Sequence, residues 1–260
     1  MSFQQAQPLD RLRFRALVEY DGTDYFGFQR QRIEQPTIQG ELERVLTDLT
    51  RSPVTVTGAG RTDSGVHAMG QMISFTIAWQ HGVDALRNAL NANLPNDIGI
   101  LKIEEAAPSF HPRYDARRRA YKYSIYNAAV RSPLRRRYSW YVQRQLDLDN
   151  MNQAAALLVG TRDFATFGTP PQGINTVREI YQAYFYRQQE FILFFVEANA
   201  FLYRMVRSLV GSLAAVGDGS WSVTDFADAL YACDRRRSGS AAPPQGLSLV
   251  SVVYEERETE

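Results

Sequence analysis

Residues 58–71 read GAGRTDSGVHAMGQ. One carboxylate, Asp63, stands two residues after Arg61, among glycines at 58, 60 and 65. Three chemistries could use such a stretch. A glycine-rich loop could cradle phosphate, but a P-loop needs a Gly-Lys-Ser/Thr ending that the chain lacks. A dinucleotide fingerprint would need a third glycine where Asp63 stands. Asp-Ser-Gly could carry half of an aspartic-protease dyad, but two carboxylates must then share a proton, and the triplet occurs once. The third chemistry is a lone carboxylate balanced by an arginine. It would act as nucleophile or base beside a large substrate that the glycines let approach closely. The structural alternative is an aspartate that caps its own turn.

Composition narrows the field. The chain has 260 residues, 45% hydrophobic and 22% charged, enough for one large core or two smaller ones. Its apolar runs, such as FILFFV at 191–196, fall far short of the roughly 18 residues of a membrane helix. The first fourteen residues carry no apolar signal core, so a cytoplasmic protein with no membrane association is expected. Cys233 is the single cysteine, and His67, His81 and His111 show no metal-ligand spacing. Neither a metal nor a cofactor is expected.

Net charge is only +1, but its distribution is uneven. Residues 111–144 hold ten Lys/Arg and one acid, Asp115, a local +9 that leaves about −8 for the remainder. Only Lys102 and Lys122 among the 29 basic residues are lysines. Arginine makes forked contacts with phosphate and stacks on bases, so this block points to a polyanionic partner. A solvated basic face is the alternative.

The elements that would position Asp63 can be read from periodicity. RFRALVEY (13–20) alternates as a strand, and a helix follows from about Thr37 with Ile38, Leu42, Val45, Leu46 and Leu49 on one stripe. PVTVT (53–57) and QMISFTI (71–77) read as strands flanking the Asp63 turn. A helix at 83–94 and a strand at 98–106 complete β-α-β-β-α-β, the ferredoxin-like order. The second half repeats it: a strand at 120–127, a helix at 149–160, strands at 174–187 and 190–198, helices at 201–216 and 222–232, and a strand at 247–256. The expected fold is α+β, with two ferredoxin-like domains, 1–107 and 108–260, packed side by side around a central cleft.

The letters add what periodicity does not. GAGRTDSGVHAMGQ closely resembles the signature GRTDxGVHAxGQ of the TruA family of tRNA pseudouridine synthases. Four further segments resemble that family in the same order: VEYDGTDYFGFQRQ with TIQGELERVL, FHPRYDARRRAYKYSIYN, NAFLYRMVRSLVGSL and AAPPQGLSLVSVVY. Phe28 stands where the family usually has Trp, and the 161–180 region lacks a cysteine often found there.

The resemblance implies that Asp63 is the catalytic residue, acting at the target ribose. It implies that Tyr121 stacks on the target uracil, that Arg207 pairs with Asp63, and that Arg61 contacts the RNA backbone near the extruded base or helps to eject that base. Leu202 would pack beneath the site. Arg207 and Arg204, three apart on the 201–216 helix, are expected to point the same way. The implied reaction converts uridine to pseudouridine at positions 38, 39 and 40 of the tRNA anticodon stem-loop, in a homodimer, without ATP or metal. A different class of protein, a non-catalytic RNA-binding pair of ferredoxin-like domains, would carry aromatics in an RNP1 pattern, which the chain lacks.

Overall fold

The computed structural model describes residues 10–31 and 35–255. The stretch before residue 10, read above for a signal core, is otherwise outside them, as is residue 256 of the closing strand. The first half runs β1 (Arg11–Tyr20), α1 (Ile38–Thr50), β2 (Thr57–Gly58), β3 (His67–Ala78), α2 (Gly82–Asn93) and β4 (Ile98–Glu105). The second runs β5 (Ala116–Asn127), β6 (Trp140–Val142), α3 (Leu148–Ala156), β7 (Gly160–Asp163), β8 (Val177–Gln188), β9 (Phe191–Ala198), α4 (Met205–Gly217), α5 (Val223–Tyr231) and β10 (Leu247–Tyr254). Single 3₁₀ turns occupy Arg235–Arg237 and Pro244–Gly246.

The α+β class is as expected, but the halves do not form separate sheets. One ten-stranded sheet has the order β4-β1-β3-β10-β5-β9-β8-β7, with β2 on β3 and β6 on β5. Neighbouring strands are antiparallel except at β5–β6 and at the junction of the halves, where Ser248 and Leu249 of β10 pair in parallel with His67 and Ala68 of β3. On its other edge β10 runs antiparallel to β5. The last strand therefore lies in the middle of the sheet.

Period-2 and period-3.6 patterns generate one continuous core. Phe14, Ala16, Val18 and Tyr20 point inward from β1, and Tyr121, Tyr123 and Ile125 from β5. Ile38, Leu42, Val45 and Leu46 of α1 join them, as do Leu209 and Leu213 of α4. Thr37 caps α1 by accepting from the Gly40 N–H, and Ser222 with Asp225 forms a reciprocal capping box on α5.

Three expected elements differ, each for a visible reason. Of the expected 53–57 strand only Thr57 pairs with β3, together with the following Gly58. Val54 and Val56 are buried, but their N–H groups donate to Thr47 Oγ1 and Glu43 Oε1 of α1. Their alternation reported burial, and side chains satisfy the backbone. The helix expected at 201 starts at Met205, because Arg204 adopts a left-handed backbone (φ 60°) and Tyr203 bonds back to Thr169. Arg204 is thus the residue before the helix and does not share a helical face with Arg207. The helix expected to reach 160 ends at Ala156, and Gly160–Asp163 pairs with β8.

The start of β10 is tightly packed. A Cβ on Gly246 would lie 2.5 Å from Tyr123 Cζ and 2.9 Å from the Ser124 carbonyl oxygen. Tyr123 is fully buried and donates its hydroxyl to the Pro243 carbonyl at 2.7 Å. Gly246→Ala should lower stability by about 1–3 kcal/mol in urea unfolding, since neither the ring nor the strand can withdraw. An unchanged midpoint would show that this junction yields.

Candidate active site

The loop after β2 carries Asp63 and is held along its whole length. Gln71 donates to the Gly60 carbonyl at 2.9 Å, and the Phe28 N–H donates to the Thr62 carbonyl at 3.1 Å. The Thr62 hydroxyl bonds the buried Tyr20 hydroxyl at 2.8 Å. The Tyr25 carbonyl accepts from the Ser64 hydroxyl at 3.1 Å and the Gly65 N–H at 3.3 Å. Ser64 thus serves the loop's shape. Gly65 has φ 76° and lies against Pro244, a backbone conformation that an L side chain would strain.

Arg207 enters from the first turn of α4. Its Nη1 donates to Asp63 Oδ2 at 2.9 Å, and its Nε donates to the Ala242 carbonyl at 2.7 Å. The Ala242 N–H returns a bond to the Arg207 carbonyl at 2.9 Å. Only 14% of the Arg207 side chain and 17% of the Asp63 side chain are exposed. The guanidinium is fixed at two points, which holds the carboxylate in one orientation with its negative charge balanced.

Tyr121 lies on the inward face of β5 near this pair. A Cβ on Gly60 would stand 4.0 Å from its hydroxyl, and Phe201 packs edge-on to its ring at 5.0 Å between centroids. Burial pushes the Tyr121 phenol up to about 12; the Arg119 charge opposes this, and the nearby Asp63 carboxylate adds to it. The hydroxyl therefore stays protonated at neutral pH. What the residue offers a substrate is a ring and a donor. Leu202 is buried beneath, against Gly168. Arg61 is exposed, and none of the described hydrogen bonds or ion pairs engages its side chain.

Two residues not singled out from sequence complete the frame. Arg119, two residues before Tyr121, donates to the carbonyls of Arg113 (2.7 Å), Asn199 (2.8 Å) and Ala59 (3.4 Å). It ties β5 to the start of the Asp63 loop, and burial lowers its affinity for the proton. Its position inside the arginine block disguised it as a phosphate contact. His67, four residues after Asp63, is buried. Its Nδ1 accepts from the Gly22 N–H at 3.1 Å. Its Nε2 faces the carbonyls of Arg137 (2.9 Å) and Gln245 (3.2 Å), so Nε2 carries the proton. Tyr138 adds a bond from its hydroxyl to Asp21 at 2.7 Å. Among the described residues, no group of three or more His, Cys, Asp or Glu could hold a metal ion. No helix among them is long and apolar enough to cross a membrane.

A carboxylate locked by an arginine, beside a buried aromatic and on a glycine-rich loop, is the arrangement that the sequence signature implied. The profile of the tRNA pseudouridine synthase family matches residues 16–115 and 154–255. The chain belongs to that family. It is 39% identical to tRNA pseudouridine synthase A of Thermoanaerobacter sp. (strain X514), over 92% of this chain and 98% of the relative. It is 44% identical to tRNA pseudouridine synthase A of Methylocella silvestris, over 94% and 99%. Among solved structures, an archaeal Nop10–Cbf5 complex aligns with 78% of this chain and 44% of that one, at 12% identity and a TM-score of 0.36.

Arg207→Lys keeps the charge but cannot reach both Asp63 and Ala242 with a fork. Turnover should fall about 10²-fold, the scale on which a positioned electrostatic partner acts. Unaltered turnover of the purified variant would show that the two-point hold is dispensable.

Proposed function

We propose that the protein isomerises uridine to pseudouridine in the anticodon stem-loop of tRNA, at positions 38, 39 and 40. The observation that carries this reading is the Asp63–Arg207 pair at 2.9 Å with Tyr121 beside it. Residues 1–107 carry Asp63, and residues 108–260 carry Tyr121 and Arg207, so both halves of the chain contribute to the site.

The target base leaves the helix stack at a cost of a few kcal/mol, and the ring of Tyr121 receives it. Asp63 acts at the ribose, either at C1′ or on the 2′ proton, while Arg207 holds its carboxylate in place. The C1′–N1 bond breaks, the uracil rotates, and a C1′–C5 bond replaces the first. The proton on C5 is lost to solvent and N1 gains one, so the atoms balance with no co-substrate. A flat aromatic support tolerates that rotation where a hydrogen-bonded clamp would not. Arg61, exposed at the loop's edge, contacts the RNA backbone near the extruded nucleotide. The arginine block offsets the cost of extrusion through phosphate contacts. The enzyme works in the cytoplasm as a homodimer, with tRNA contacting both subunits.

The decisive measurement is release of tritium from tRNA labelled at uracil C5. Wild type should release it, and Asp63→Asn should fall at least about 10³-fold while still binding tRNA. Equal release by the two, or none from wild type, overturns the reading. Tyr121→Phe keeps the ring and should stay within about tenfold of wild type, whereas Tyr121→Ala should lose about 10²-fold or more. Equal losses in the two variants would assign the role to the hydroxyl instead.

A further inference from the structure

Five of the ten cations between 111 and 144 are already engaged. Arg117 pairs with Glu255, Arg118 with Glu197, Arg137 with Asp24 and Arg144 with Asp218, and Arg119 is bound to three carbonyls. Arg131, Arg135 and Arg136 differ. They are exposed, and none has a carboxylate partner among the described ion pairs, whereas Arg113 and Lys122, also without one, are half-buried. They converge, with Tyr126, Tyr141 and Ser132, on one open cavity of about 390 Å³.

This cavity is built rather than incidental. The turn that carries it is closed by the Arg135 N–H to the Ser132 carbonyl (3.2 Å) and the Tyr138 N–H to the Arg135 carbonyl (3.1 Å). The buried Ser139 hydroxyl also donates to the Arg135 carbonyl, at 2.8 Å. The Arg135 guanidinium stands 5.5 Å over the Phe191 ring, and Tyr126 packs between Phe191 and Tyr141 at 5.4 and 6.3 Å. Behind the turn, Tyr138 and the Arg137 carbonyl are tied to Asp21 and His67. Three exposed guanidiniums with no carboxylate partner among the described ion pairs therefore line one cavity with two tyrosines, on a turn closed by its own hydrogen bonds.

That combination suits a phosphodiester with its base. Forked donors match phosphate oxygens, and an aromatic face accepts any base. It is not the uracil site. Tyr126 lies five residues beyond Tyr121 on β5, about 17 Å along the strand, and strand alternation turns the two to opposite faces. We propose that this cavity binds a phosphate–nucleoside segment of the tRNA outside the target nucleotide, supplying affinity without taking part in the chemistry. The proposal rests on the reading of tRNA as substrate.

The test compares wild type with a triple variant, Arg131→Ala, Arg135→Ala and Arg136→Ala, on an unmodified tRNA transcript. KM should rise at least about tenfold with kcat within twofold, and the slope of log affinity against log salt should become shallower by about 2 to 3. Arg44→Ala on α1, which removes a paired surface arginine, should leave both unchanged. A triple change to lysine should recover the salt slope but only part of the affinity, because lysine lacks the fork. Unchanged KM and slope overturn the proposal, as does a loss confined to kcat, which would mark the turn as support for the Asp63 loop. A changed oligomeric state with unchanged tRNA affinity also overturns it and makes the cavity an interface between copies. Filter binding keeps the two readings apart. If wild type releases no tritium yet the triple variant binds tRNA more weakly, the catalytic reading fails and this one stands.

Discussion

The ion pair between Asp63 and Arg207 joins residues 144 positions apart and sets the terms for everything around it. Two opposite charges, each more than four-fifths hidden from water, are costly to bury unless they are paired and hydrogen-bonded. Arg207 meets that demand by spending its Nε on Ala242, which makes the segment before β10 part of the site. Asp63 has Arg207 as its carboxylate's partner and is held in place by a loop that Phe28, Tyr20, Tyr25 and Gln71 fasten from one side and Pro244 supports from the other. The parallel pairing of β3 with β10 then reads as the consequence of bringing these segments into one place.

Strand alternation divides the labour of β5. Residues 121, 123 and 125 face the core, where Tyr121 stands near the Asp63 carboxylate and Tyr123 anchors the start of β10. Residues 122, 124 and 126 face outward, and the strand ends at an arginine-lined cavity. One twelve-residue strand can thus serve a dry, preorganised centre and a wet, charged surface without mixing their dielectric demands.

Much of this was legible in the sequence, and the failures share a cause. Period-2 and period-3.6 patterns report burial, so the core strands and the stripes of α1 and α4 were found. They do not report which group satisfies a backbone N–H, so Val54 and Val56 passed for strand residues although α1 side chains bond them. Arg204 broke a helix that its neighbours favour, because its left-handed backbone depends on Tyr203 pairing with Thr169, a contact between distant segments. β6 and β7, three and four residues long, are too short to show a period. Asp63, Tyr121 and Arg207 were legible through motif letters, and composition alone would have left each as an ordinary turn, core or surface residue. The arginine block was visible as charge. Which arginines brace the frame and which remain open to a ligand became visible only with their partners.

β10 follows every other element in the chain yet sits at the centre of the sheet. A ribosome delivers residues in order, so β3 and β5 are made long before the strand that lies between them. Until then, Arg207 lacks Ala242 and Asp63 lacks the support of Pro244. A chain that stops before β10 therefore has no assembled centre, and the site forms only once that strand has emerged.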